Sequence, residues 1–115
     1  MDPLAEARDD ALAQVAALRA AHAEVVAAAE GANLDDEHDP EGATIAFERQ
    51  QLAALLLQAE ARYAEAEAAL VRRRDGDYGR CALCGQAIGA ERLAARPSAT
   101  LCIGCARATE TRRPR

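Results

Sequence analysis

Four cysteines, the only ones in the chain, are the residues whose spacing indicates chemistry. They form two Cys-x-x-Cys pairs, Cys81/Cys84 and Cys102/Cys105, separated by 17 residues. This spacing is typical of four thiolates around one tetrahedral Zn²⁺ ion. Gly85 follows the first pair, where the backbone of a zinc knuckle must turn tightly beside the sulfur. Because four protein ligands complete the coordination, we expect one structural zinc ion with no open position for catalysis.

Paired cysteines have two other uses, a redox dithiol and an iron–sulfur cluster, and both are less favoured here. The helix context and the ligand spacing typical of those sites are missing. A segment of roughly 40 residues has too small a core to fold well without a cross-link such as a bound metal. Metal binding would therefore supply folding free energy, on the order of 10 kcal/mol or more. We expect five aliphatic side chains to pack a tiny core: Leu83, Ile88, Leu93, Leu101 and Ile103. Four nearby arginines could offset the negative charge of the thiolates: Arg80, Arg92, Arg96 and Arg107.

The charge divides the chain into two parts. Residues 1–71 hold 15 acidic residues and four arginines, whereas residues 72–115 hold ten arginines and four acidic residues. We predict two domains: a coiled-coil hairpin over residues 1–74, with an acidic tip at 33–42, and a zinc module over 75–115. The module is expected to end in a short helix that carries the second cysteine pair.

The elements that position the zinc segment are two long predicted helices. Residues 3–30 consist almost wholly of good helix formers, and a second run extends from about Pro40 to about Arg74. A heptad seam marks the first helix, at Leu4, Ala11, Leu18 and Val25 with Val15, His22 and Ala29 between them. The seam of the second helix has Ile45, Leu52, Ala59 and Ala66, with Leu55, Tyr63 and Leu70 between them. Neither stripe can be buried alone, so the sequence predicts an antiparallel two-helix hairpin; a helical bundle formed by dimerisation is the alternative.

The predicted hairpin tip is unusually acidic. Five acidic residues fall within seven positions, at Asp35, Asp36, Glu37, Asp39 and Glu41. Asp39 before Pro40 suits a helix N-cap, and Glu41 suits the positive end of the helix dipole. The other three acids lie outside the helix. They form either an ordinary solvated loop or an acidic probe that a long stalk presents to a basic or metal-containing target.

Several function classes are disfavoured. No nucleophile has a partnered base, so we expect no enzyme activity. DNA binding is disfavoured because the acidic hairpin would be repelled by phosphates, and aromatic residues for stacking are scarce. The N-terminus does not read as a signal peptide, and no stretch approaches the roughly 20 apolar residues that span a membrane. We therefore expect a cytoplasmic protein with reduced thiols.

The segment "GDYGRCALCGQAIGAERLAARPSATLCIGC", with the preceding hairpin and acidic tip, resembles the DksA/TraR family of C4-type zinc-finger transcription regulators. The resemblance covers nearly the whole chain and is most specific in the zinc segment. It implies a mainly α-helical protein whose coiled coil enters the secondary channel of RNA polymerase while the zinc module braces it at the rim. Members of the family modulate transcription initiation without reading DNA, and many act with ppGpp in the stringent response.

This chain departs from the family pattern at two places. The tip motif Asp-x-x-Asp-x-Ala corresponds to Asp36 and Asp39, with Glu41 in the alanine position. Known ppGpp-responsive members use basic residues on the second helix and on the zinc module, and the second helix here carries Glu60, Glu65 and Glu67 with only Arg62 nearby. Two alternatives to a channel regulator remain. One is a polymerase factor that binds Mg²⁺ through the tip acids and stimulates transcript cleavage; the other is a zinc-capped coiled-coil adaptor or nucleic-acid-binding protein.

Overall fold

The protein is mainly α-helical, as the sequence predicts. The structure, a computed structural model, describes residues 2–32 and 40–111. Within them lie α1 (Pro3–Ala32), α2 (Pro40–Arg74), α3 (Ala90–Ala95) and α4 (Ile103–Thr111). The described ranges contain no β-strand, only an isolated antiparallel bridge between Arg80 and Ala87. A two-helix coiled-coil hairpin followed by a small cysteine-rich module with a terminal helix is therefore confirmed.

The ends of the long helices follow local signals in the sequence. Asp2 caps α1: its Oδ1 accepts hydrogen bonds from the backbone N–H of Leu4 (3.2 Å) and of Ala5 (3.4 Å). Proline at the first position of each helix has the required φ angle and no N–H to leave unsatisfied. The sequence predicted that α1 ends before Gly31, but the helix continues through it to Ala32. A glycine near a helix end lowers helix stability without preventing another turn.

The residues group into two compact units, one formed by Met1–Arg8 with Ala64–Arg115 and the other by Asp9–Tyr63. In the second unit, Arg62 Nη2 donates to Gln14 Oε1, at 2.5 Å, and Arg19 Nη2 lies 3.7 Å from Glu60 Oε1. As the residue number rises in α1 it falls in α2, so the helices run antiparallel. The predicted domain boundary at residue 74 stays a prediction, and α2 ends at that residue.

The first unit repeats the antiparallel pairing. Arg73 Nη1 and Nη2 donate to Asp2 Oδ1 and Oδ2, at 2.7 and 2.6 Å, and Arg8 Nε lies 3.8 Å from Glu67 Oε1. This bidentate ion pair joins Asp2, which caps the first turn of α1, to the last turn of α2. The cysteine-rich module belongs to this unit as well, where Arg72 Nη2 donates to the Ser98 carbonyl at 3.5 Å.

The helix seam is built largely from alanine. Most of the buried residues lie on the predicted heptad positions: Leu4, Ala11, Val15, Ala59 and Ala66. Ala69 is also buried, although the sequence analysis did not assign it to the seam. Leu55 was expected in the seam and is 41% exposed, whereas Leu56 is half-buried. The two leucines lie on opposite flanks of the line through Leu52 and Ala59, and only one flank is covered.

The hydropathy of α1 differs from the sequence-based expectation. Residues Pro3–Gly31 contain an 18-residue window with a mean hydropathy of 1.2, of which 11% is buried. By length and composition alone, this helix is long and apolar enough to cross a membrane. A single helix of this kind is weak evidence, because helices of soluble proteins and N-terminal signal sequences meet the same criterion.

Candidate metal centre

The first cysteine pair lies in a tight hairpin of the backbone. Cys81 N–H donates to the Gln86 carbonyl at 2.8 Å, and Ile88 N–H donates to the Gly79 carbonyl at 2.8 Å. Inside this frame, Gly85 N–H donates to the Cys81 carbonyl at 3.0 Å. Gly85 has a φ of 74°, in the left-handed region where a side chain is strained. The glycine after the pair therefore serves the turn, as the sequence analysis predicts.

Gly79, two residues before the first cysteine, is needed for a different reason. Its φ is 85°, and a Cβ at this position would lie 3.3 Å from Leu93 Cδ1. The backbone turn and the close approach of Leu93 both favour a residue without a side chain. This contact packs the start of the first knuckle against α3.

The second cysteine pair spans the start of α4. Cys102 directly precedes the helix, and its Sγ accepts a hydrogen bond from Cys105 N–H at 3.4 Å. Ala106 N–H donates to the Cys102 carbonyl at 2.9 Å, which continues the first turn of the helix. The two knuckles are joined by a hydrogen bond from Ala82 N–H to the Thr100 carbonyl, at 2.8 Å.

Two side chains hold the loop between the knuckles. Tyr78 donates its hydroxyl to the Pro97 carbonyl at 2.9 Å, and Arg92 Nε donates to the Leu101 carbonyl at 2.8 Å. Arg92 is expected near the thiolates as a counter-charge, and in the structure its hydrogen bond goes to the backbone carbonyl one residue before Cys102. The positions of Tyr78 and Arg92 in the zinc segment were visible in the sequence, but their roles as braces were not.

The small core of the module is thinner than predicted. Of the five aliphatic side chains assigned to it, Ile88 is buried and Leu93 and Leu101 are half-buried. Leu83 and Ile103 are instead 67% and 50% exposed. Both residues directly adjoin a cysteine of the cluster, and so does the half-buried Leu101.

All four thiol groups meet at one point. The Sγ atoms of Cys81, Cys84, Cys102 and Cys105 lie within 4.8 Å of one another, and those of Cys84 and Cys102 are 3.9 Å apart. A tetrahedral zinc ion with Zn–S bonds of about 2.3 Å separates its sulfurs by about 3.8 Å. Cys81 is buried, Cys84 is exposed and the other two are half-buried. The geometry and the all-sulfur donor set both fit one structural zinc ion.

The electrostatics of the cluster also favour a bound cation. Backbone N–H groups, first that of Cys84 and then that of Cys102, lower the pKa of Cys81 to about 6, which favours the thiolate that a metal needs. The neighbouring sulfurs, first that of Cys102, raise the pKa of Cys105 to about 12. Four thiolates this close repel one another, so a divalent cation is required to hold all four in the ionised state.

The predicted tip residues fall in a part of the chain that the structure does not describe. Asp35, Asp36, Glu37 and Asp39 lie outside the described residues, and so does the side chain of Glu41, which falls in the first turn of α2. The structure thus brings together the four predicted metal ligands. The Asp2–Arg73 contact was missed by the sequence analysis; an aspartate before Pro3 is a recognisable cap, but nothing in the sequence indicates its partner.

Comparisons of the sequence and of the structure with known proteins all find similarity to the same family. The prokaryotic dksA/traR C4-type zinc finger matches residues 76–110. The RNA polymerase-binding transcription factor DksA of Haemophilus influenzae is 48% identical over 46 residues, which cover 40% of this chain and 32% of that protein. The same factor from Escherichia coli K12 matches at the same identity over 30% of its length. The match therefore spans about a third of these curated relatives.

The similarity to a solved structure extends much further. Transcription factor DksA2 from Pseudomonas aeruginosa superposes with a TM-score of 0.59 at 30% sequence identity. The superposition covers 95% of this chain and 84% of that one, and so includes the hairpin as well as the zinc finger. With the C4 sequence match and the clustered cysteines, this similarity shows that the chain belongs to the DksA/TraR family of C4-type zinc-finger proteins.

Proposed function

We propose that this protein binds RNA polymerase directly and modulates transcription initiation, with its acidic tip inserted into the secondary channel. The observation that carries the proposal is the similarity to DksA2, which extends over 95% of the chain at 30% identity. The curated relatives are named RNA polymerase-binding transcription factors. Regulators of this class do no chemistry of their own, which agrees with a sequence that offers no partnered nucleophile, and they work in the cytoplasm.

The hairpin and the zinc module have separate roles in this proposal. Residues 1–71 carry 15 acidic residues against four arginines, so the hairpin suits a channel lined with basic groups. Asp35, Asp36, Glu37, Asp39 and Glu41 are the tip acids that would act near the catalytic Mg²⁺ of the polymerase. We assign Cys81, Cys84, Cys102 and Cys105 as the zinc ligands. Bound zinc would hold the two knuckles together through its four zinc–sulfur bonds and would take no part in a reaction.

The acidic residues of α2 bear on the response to ppGpp. Glu60 and Glu67 lie beside arginines of α1, and Arg62 donates to Gln14, so these groups serve the pairing of the helices. An anionic nucleotide would gain no cation from them. We propose that any ppGpp response depends on arginines outside this stretch of α2, such as those of the zinc module.

The test uses purified protein with RNA polymerase and measures both binding and the lifetime of open promoter complexes, with and without ppGpp. The tip variant Asp36→Asn/Asp39→Asn should bind polymerase and lose the effect on complex lifetime, because it keeps the shape and removes two charges. Asp10→Asn, an exposed aspartate on α1, is the matched control and should behave as wild type. Failure of the wild-type chain to bind polymerase would refute the proposal.

The same preparations separate the alternatives. A cleavage-stimulating factor would shorten transcripts in stalled complexes in a Mg²⁺-dependent manner, and the tip variant would lose that activity. An adaptor would tolerate the tip substitutions in every assay. We expect no stimulation of cleavage by the wild-type protein.

A further inference from the structure

The exposed side of α2 carries a second apolar stripe, separate from the seam that packs on α1. Phe47 and Leu57 are each 68% exposed. They belong to a set of exposed, uncharged residues spaced alternately three and four positions apart, here termed the outer stripe: Phe47, Gln50, Ala54, Leu57 and Ala61. In the sequence the same spacing continues to Ala64, Ala68 and Val71, which are exposed as well. This alternation is the spacing of a coiled-coil seam.

Helix geometry brings the residues of the outer stripe together on one face. With 3.6 residues per turn, positions that alternate by three and four line up along one side of a helix. The opposite side of α2 holds the seam residues Leu52, which is half-buried, and Ala59, which is fully buried. No element within the described residues covers the outer stripe. α2 therefore has two coiled-coil faces, of which α1 occupies one.

The absence of charge from the outer stripe limits the class of its partner. No charged residue occurs between Arg49 and Glu60, which is almost three turns of α2. Glu60, at the end of this span, lies 3.7 Å from Arg19 of α1. A phosphate backbone, an anionic membrane or a basic channel wall would each be recognised through opposite charges. The outer stripe instead suits a neutral helix face with the same spacing, and the α2 helix of a second copy has that face.

We propose that two copies of this chain associate through their outer stripes, with the two α2 helices antiparallel. The charges at the ends of α2 set this orientation. The acidic run at 35–41 adjoins the start of the helix in the sequence, whereas Arg72, Arg73 and Arg74 form its last turn. Antiparallel pairing directs the arginine end of each helix towards the acidic end of the other, and parallel pairing would bring like charges together.

The sizes of the side chains favour the same orientation. Reversal of one helix exchanges the two spacings, so that positions 47, 54 and 61 of one copy face positions 50 and 57 of the other. Leu57 of each copy then meets an alanine of the stripe, Ala54 or Ala61, and a large side chain packs against a small one. In a parallel pair Leu57 would face Leu57 and Ala54 would face Ala54, which leaves a gap beside the alanines.

The interface is small, so the association should be reversible. The outer stripe spans about 21 Å of α2, at about 1.5 Å per residue. One helix face of this length offers less than the roughly 800 Å² per partner of a standard interface, so we expect a dimer that forms in the micromolar range. The inference does not rest on the proposed function, because self-association is measured without polymerase.

Sedimentation velocity of the zinc-loaded protein at increasing concentration tests the inference. The wild type should shift reversibly from monomer to dimer. Phe47→Gln/Leu57→Gln should raise the dissociation constant roughly tenfold or more, because it removes the largest side chains of the stripe. The matched control, Leu12→Gln/Leu55→Gln, alters two exposed leucines of the same unit outside the stripe and should dimerise as the wild type does. Circular dichroism at low concentration checks that both variants fold.

Two further variants test the face and the orientation. Gln50→Leu replaces the one polar residue of the outer stripe and should tighten the dimer several-fold, a gain that is informative even if the glutamine variant does not fold. Arg74→Gln removes a charge at the end of α2 and should weaken the dimer about two- to fivefold. Arg49→Gln removes the same charge nearer the middle of the helix and should weaken it less. A tighter dimer with Arg74→Gln would overturn the antiparallel orientation.

The outcomes separate this inference from the proposed function. A wild type that stays monomeric up to millimolar concentration, or that dimerises no better than Phe47→Gln/Leu57→Gln, would overturn the inference and leave the proposed function standing. If the wild type is monomeric and that variant loses affinity for polymerase while the control keeps it, polymerase covers the outer stripe and the second copy is wrong. A dimer with the expected response to the variants, but without binding to polymerase, would refute the proposed function alone.

Discussion

Removal of the zinc ion should unfold the cysteine-rich module and leave most of the helical structure in place. Ile88 is the one fully aliphatic side chain buried among the described residues of the module, and its burial contributes about 1.5–3 kcal/mol. A structural zinc ion contributes about 10–16 kcal/mol in small modules, several times the contribution of this one side chain. Without the metal, the module therefore loses most of the free energy that keeps it ordered.

The size of the expected change follows from the lengths of the helices. α3 and α4 hold 6 and 9 residues, whereas α1 and α2 hold 30 and 35. Complete loss of α3 and α4 would remove about a fifth of the helical signal. The two long helices pair with each other and each is long enough to satisfy most of its own backbone hydrogen bonds, so they should keep the remainder.

Circular dichroism at 222 nm during titration with a strong chelator measures this loss, and a colorimetric indicator counts the zinc released, which should be one ion per chain. Hydrogen exchange should show protection lost in residues 78–106 and kept over most of α1 and α2. Cys84→Ser should reproduce the metal-free state, while Ala82→Ser, an exposed change in the same knuckle, should not. Unchanged protection of the module after complete zinc release would refute the reasoning, and so would collapse of the whole helical signal.

Three further predictions concern single side chains. Gly79→Ala should destabilise the module by about 1–2 kcal/mol because φ is 85° there, whereas Gly104→Ala, within α4 and with open space around it, should be neutral or stabilising; chelator competition measures both. Ala59→Leu should cost about 1–3 kcal/mol by overpacking a fully buried seam position, and Ala54→Leu on the exposed side of α2 should cost little, as judged by thermal unfolding. The arginine hydrogen-bonded to Asp2 holds the pKa of this carboxyl below its usual 3.8, so the capping contact is fully present above that pH and is lost as the pH falls further. The protection of the amides of residues 4–8, measured relative to their intrinsic exchange rate at each pH, should therefore fall in acid, and Asp2→Asn should remove that pH dependence; equal acid sensitivity in the variant would contradict the assignment.

Local signals in the sequence were enough to predict the metal centre and the helices. The spacing of the cysteines encodes a site whose ligands come from two short turns, so no long-range contact had to be guessed. The proline at the first position of each long helix and the strong helix propensity of the residues that follow predict the start of both helices and the end of α2. The antiparallel pairing followed because neither apolar stripe could be buried alone.

Details that depend on tertiary contacts were beyond the sequence. Leu83 and Ile103 have the hydrophobicity of core residues, and nothing in the sequence separates them from Leu93 and Leu101, which are half-buried. Leu55 is exposed and Leu56 is half-buried because only one flank of α2 is covered at this point. Heptad counting cannot predict which flank that is when both positions hold leucine. The Asp2–Arg73 contact joins residues 71 positions apart, and three consecutive arginines offered equal candidates for the partner.

The alanine seam bears directly on how such a hairpin could serve a narrow channel. Ala59, Ala66 and Ala69 are almost completely buried, which requires the backbones of α1 and α2 to approach closely wherever these residues lie. Small seam residues keep a helix pair slender, but each contributes little hydrophobic free energy compared with leucine. Additional stabilisation must then come from polar contacts between the helices, such as Arg62 with Gln14 and Arg19 with Glu60. Because burial along the seam is thin, Glu60 and Glu67 of α2 take part in the pairing of the helices through arginines of α1.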